Sequence, residues 1–102
     1  MKSYATGTLP PTIQSIFESP PGTTFGQIAQ RAVFELERIA NPEVQSEAGT
    51  YLLRFLQGRG DSFQQDFVEQ ALQVMEKFPH FPRPRAKVAM RALTKLASQA
   101  AA

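Results

Sequence analysis

Between Phe25 and Leu96 the apolar residues of this chain return every three or four positions, and the pattern breaks only where proline or glycine stands. That period is the repeat of one face of an α-helix, so the chain reads as helices separated by punctuation. Phe25, Ile28, Ala29, Ala32, Val33, Leu36, Ile39 and Ala40 predict a helix over 24–40. It stops at Asn41-Pro42, because proline disfavours helical geometry in the residue before it. The same pair starts the next helix, with Asn41 as cap and Pro42 in the first helical position.

Val44, Ala48, Tyr51, Leu52, Phe55 and Leu56 carry that helix over 42–57. Gly58 is expected to close it in the left-handed conformation that glycine tolerates. Gly49 in its interior costs about 1 kcal/mol relative to alanine, which predicts a close helix crossing there. Asp61 caps a helix over 62–78 whose apolar residues, Phe63, Phe67, Val68, Ala71, Leu72, Val74, Met75 and Phe78, cover about half the circumference. An arc that wide places this helix and the one before it at the centre. Pro79, Pro82 and Pro84 then make a stiff connector, with Pro84 opening a last helix over 84–99.

Residues 1–23 are broken by Gly7, Pro10, Pro11, Pro20, Pro21 and Gly22 and read as a partly extended or flexible arm. Within it Ile13, Ile16 and Phe17 stand at i, i+3, i+4, the spacing of a short helix with one apolar side. The expected fold is all-α: a compact bundle or orthogonal packing of four main helices, as a single domain over 24–102, with a proline-bounded amino-terminal arm that holds a short fifth helix.

Composition narrows the function classes. A chain of 102 residues is one domain by default, and 42% apolar with 20% charged residues is the balance of a globular protein. The longest apolar runs are two or three residues, far short of the about 20 needed to span a bilayer, so no membrane insertion is expected. The first residues lack the apolar stretch of a secretory signal, which points to the cytoplasm. With no cysteine and one histidine, His80, thiolate chemistry and zinc sites built on sulfur or several imidazoles have no ligands. His80 has no sequence neighbour able to orient it as a base, and no glycine loop suits a phosphate. We therefore expect no catalytic residue, cofactor or metal, and a protein that is not an enzyme.

The charge is uneven. Residues 1–76 hold all nine acids against five bases, a net of -4, whereas residues 77–102 hold six bases and no acid. On the last helix Lys87, Arg91 and Lys95 stand at i, i+4, i+8 opposite an alanine-rich side, and Arg83 and Arg85 widen the positive field. This basic side is the main candidate surface. The leading expectation is a non-enzymatic interaction module (adaptor, accessory subunit or regulator) that meets the acidic surface of a protein partner. The alternative is nucleic acid bound through its phosphates by the same side. A helix-turn-helix across Gly58-Arg59-Gly60 fails on charge, since the helix that would enter the major groove carries Asp61, Asp66, Glu69 and Glu76. Arg59-Gly60-Asp61 also spells an adhesion tripeptide, but turning and capping account for its letters.

Two further features bear on partners. Ile13, Ile16 and Phe17 are candidates for docking in a groove of another protein. Phe34 lies on the otherwise polar side of its helix, either as a contact anchor or as the place where the arm folds back. With Leu53 it implies more apolar surface than four helices bury, and a homodimer would use the remainder.

Overall fold

The computed structural model describes residues 9–101, of which 100 and 101 by backbone alone. Five helices follow one another: α1 (Pro11–Ile16), α2 (Phe25–Glu37), α3 (Pro42–Gln57), α4 (Ser62–Met75) and α5 (Pro82–Ala101). Their starts follow from local chemistry. At α2, Gln27 N–H donates to Thr24 Oγ1 and Thr24 N–H to the Gln27 side chain, at 3.1 and 3.0 Å. At α4, Asp61 and Gln64 repeat this reciprocal pair at 2.8 Å each way. At α3, Asn41 Oδ1 accepts from Glu43 and Val44 N–H, at 2.8 and 3.3 Å. Each arrangement satisfies amide groups that a helix start leaves without partners.

Helix α3 ends at Gln57 as expected, but other boundaries differ. Helix α2 stops at Glu37 rather than 40, since Arg38 N–H and Ile39 N–H close a tight last turn on Glu35 O and Leu36 O. The Gln45 side chain also donates to Leu36 O, at 2.9 Å, and draws the start of α3 under that end. In the same way α4 stops at Met75, because Lys77 and Phe78 N–H turn back onto Val74 O and Met75 O ahead of Pro79. Gly58 closes α3 with φ of -70°, in the right-handed region, so its left-handed cap does not form. Among the described residues only Gly22 has a positive φ, of 96°. Helix α5 begins at Pro82, two residues early. Both Pro82 and Pro84 then fall in the first turn, where a helix needs no backbone donor, and Phe81 O accepts from Arg85 N–H at 3.2 Å.

The centre of the molecule is α5, not the α3–α4 pair that the wide apolar arc suggested. Helix α5 packs on α2, α3 and α4, whereas α4 meets only α3 and α5 to any extent. Small residues make this possible. Ala86, Ala89, Ala92 and Ala97 are buried on α5 beside Leu93 and Leu96, so three neighbours approach its backbone closely. Gly49 is the tightest point of this packing: a Cβ placed there would stand 2.6 Å from Ala89 Cβ. The crossing expected at Gly49 is thus between α3 and α5.

The arm is part of the core from Leu9 onward, which corrects its reading as a separate segment. One buried cluster runs from Leu9 to Ala97, and Ile13 and Ile16 are fully enclosed in it. Helix α1 lies on α2, where Arg31 Nη2 donates to Ser15 Oγ at 2.8 Å, and Phe17 meets Phe55 edge to face at 5.3 Å between ring centroids. Docking of Ile13 and Ile16 in another protein is thereby replaced by packing within the chain, since burying branched side chains in cis gains more than leaving them in water. The first eight residues of the arm lie outside the described residues. The radius of gyration, 12.6 Å, matches the about 13 Å of a compact domain of this length, so the bundle is closed. Among the described residues no helix is long and apolar enough to cross a membrane.

Candidate functional site

With its alanine side buried, α5 turns the opposite side outward. Arg83, Lys87, Arg91 and Lys95 are all exposed there. Steps of four residues rise about 6 Å each, so the row extends over about 18 Å as a ridge slightly inclined to the helix axis. Among the described residues none of the four side chains has a hydrogen bond, ion pair or ring contact. Beside the row a shallow hollow of about 440 Å³ is lined by Met90, Thr94, Ser98 and Gln99 together with Arg91 and Lys95. Most of its exposed lining is apolar, with Met90 and the carbon stems of its neighbours supplying more of it than their polar ends.

The row also opposes the local preference of its helix. No acid occupies the first turn of α5, and Arg83 stands in it, at the end where the helix dipole is positive. A cation there costs about 0.3–1 kcal/mol when exposed, so the sequence places positive charge where stability disfavours it. Dipole and cations together strengthen the positive field at this end of the ridge.

Arg85 does not belong to the row. Two positions after Arg83, it lies about 200° further around the helix and is half-buried. Its Nη1 donates to Met75 O at 2.9 Å, at the end of α4, and its Nε to Ser46 Oγ of α3 at 3.3 Å. Ser46 is the one buried polar residue described, only 6% exposed. Arg85 thus pins three helices together, which corrects its assignment to the partner surface. The signal was present in the sequence, since the helical wheel puts Arg85 on the side of Ala89 and Leu96.

A second concavity was not legible in the sequence. An open groove of about 770 Å³ lies between α3 and the α4–α5 connector, with Glu43, Glu47, Tyr51, Glu76, His80 and Arg85 in its lining. Its residues come from three separate stretches and share no spacing. Glu43 and Glu76 are exposed and Glu47 is half-buried, so none of its carboxylates is enclosed, and His80 sits exposed at the rim. The groove is negative and the ridge positive.

The other expected contacts divide. Phe34 stays 57% exposed because α1 settles elsewhere on α2, and the Arg38 guanidinium lies over its ring at 5.3 Å. Leu53 is fully buried, which removes it from the surplus apolar surface used to expect a homodimer. Phe63 and Val74, read as core, are exposed on α4, at 68% and 39%, since a helix with only two substantial neighbours cannot cover so wide an arc. Arg59 stacks over Phe55 at 4.7 Å and Asp61 caps α4, so two residues of the adhesion-like tripeptide have local roles. No protein-family model, curated protein or solved structure matches this chain.

Proposed function

We propose that this protein is a non-enzymatic interaction module that docks on a partner of opposite charge through the ridge of Arg83, Lys87, Arg91 and Lys95. It would serve as an adaptor, accessory subunit or regulator, with the cytoplasm as its expected compartment. The observation that carries this reading is that four exposed cations stand in register on one acid-free helix and make no internal contact. None of them makes a hydrogen bond or ion pair within the described residues, and Arg83 works against its helix dipole. Ile13 and Ile16 are taken up by the core, which leaves the ridge and the exposed Phe34 as the expected contact residues open to a partner. The groove that holds His80 supports binding more readily than catalysis, because it is open and has no enclosed acid beside the imidazole.

Retention on an immobilised polyanion tests this. A Lys87→Glu/Arg91→Glu variant is expected to elute at lower salt than the wild type, and at lower salt than Arg31→Glu/Arg54→Glu, which changes the net charge equally on other helices. Equal elution of the two variants would reduce the effect to overall charge and remove the ridge as a docking surface.

A further inference from the structure

We infer that the partner of the α5 ridge is the phosphodiester backbone of a nucleic acid, bound without regard to base sequence. This rests on the ridge being a docking surface, and names what it docks on.

The make-up of the face separates the two classes of polyanion. Protein interfaces are centred on aromatic and other apolar anchors and are depleted in lysine at their core. The exposed large apolar residues described here, Phe34, Phe63, Val74 and Phe81, all lie outside α5. An acidic helix laid along the ridge would find charge for its glutamates but no large exposed apolar side chain to pack on. Ile13 and Ile16 of the arm, which would have supplied anchors, are buried in the core. Phosphates need what the ridge has, a row of exposed cations, and Thr94, Ser98 and Gln99 add a few polar atoms at the edge of the mainly apolar hollow beside it.

Dimensions agree. Because successive phosphates of one duplex strand wind around the axis, a straight row of about 18 Å between Arg83 and Lys95 follows about four of them. Four cations at even steps therefore meet nearly one phosphate each. The groove disfavours contact on its side, because the exposed Glu43 and Glu76 in its lining repel phosphate. Cations that meet phosphates hold position without reading bases, which is why no sequence preference is expected.

Fluorescence anisotropy of the full chain with a short mixed-sequence duplex, a second duplex of shuffled sequence, and a polyglutamate chain decides the matter. Both duplexes are expected to bind equally. For four phosphate contacts the log-log slope of affinity against salt is about -3.6, so a fourfold rise in salt lowers affinity roughly a hundredfold. Lys87→Gln/Arg91→Gln, checked for native helicity by circular dichroism, should reduce the slope by about two. Arg31→Gln/Arg54→Gln should leave the slope unchanged. Duplex binding that ignores the Lys87 and Arg91 changes, or that differs between the two duplexes, overturns the inference. Ridge-dependent binding of polyglutamate without duplex binding overturns it and leaves the interaction module standing. Absence of binding to all three overturns both.

Discussion

Arg83 and Arg85 are separated by one residue and do opposite things, because two positions on a helix are about 200° apart. Arg83 faces water with nothing to hold it, while Arg85 donates to Met75 O and Ser46 Oγ. Replacing Arg85 with methionine keeps much of its apolar contact but leaves those acceptors without their donor. A loss of about 1–3 kcal/mol in urea unfolding is expected, with the salt slope of polyanion binding unchanged. A slope reduced by one unit would instead return Arg85 to the ridge. At Gly49 two effects compete. Alanine gains about 1 kcal/mol of helix propensity but meets Ala89 Cβ, which cannot rotate away, and overpacking costs about 1–3 kcal/mol. Net destabilisation of Gly49→Ala is expected, partly relieved by adding Ala89→Gly; a stabilised single variant would show that α3 and α5 have room to part. Ile13→Ala should cost about 2–5 kcal/mol, since its side chain is fully enclosed, whereas a loosely attached arm would lose almost nothing.

Among the elements, starts were more legible than ends. Asn41-Pro42 and Asp61 act through side chains and backbone restrictions that the sequence states outright. Where α2 and α4 stop depends on the turn that follows: Gln45 reaching Leu36 O is a contact across nine residues, and no local pattern announces it. The hydrophobic period also says which residues are apolar on a face, not whether a neighbour covers that face. Phe63 and Val74 stand at the flank of the apolar arc, about 110–130° around the wheel from the buried Val68, Ala71, Leu72 and Met75, and face water. Helix α5 shows the converse, since a weakly hydrophobic, alanine-rich side became the most contacted surface through its small size. For α5 the placement of charge has a measurable signature. Arg83→Glu puts an acid in the first turn and is expected to stabilise the fold by about 0.3–1 kcal/mol at low salt while weakening polyanion binding. A variant that loses stability would mean that Arg83 supports the fold and is not held in reserve for a partner.

At the scale of the whole molecule, the all-α class, the basic end and the row of Lys87, Arg91 and Lys95 were readable from composition and period. The acidic groove and the burial of Ile13 and Ile16 were not, because both arise from residues far apart in the chain that meet only after the helices pack. That packing gives the protein its polarity: a negative groove beside the α4–α5 connector, and a positive ridge along a helix whose other side is the centre of the core. A rigid central helix is a suitable carrier for a docking face, since its cations are held in register by packing on three neighbours. The most direct test is an amide-resolved NMR titration of the folded chain with a short duplex. Progressive shifts are expected along the outer side of α5, from Arg83 through Lys95 to Gln99, and none in the groove at Thr50, Tyr51 and His80. Shifts centred on the groove, with α5 silent, would contradict the ridge as the docking surface.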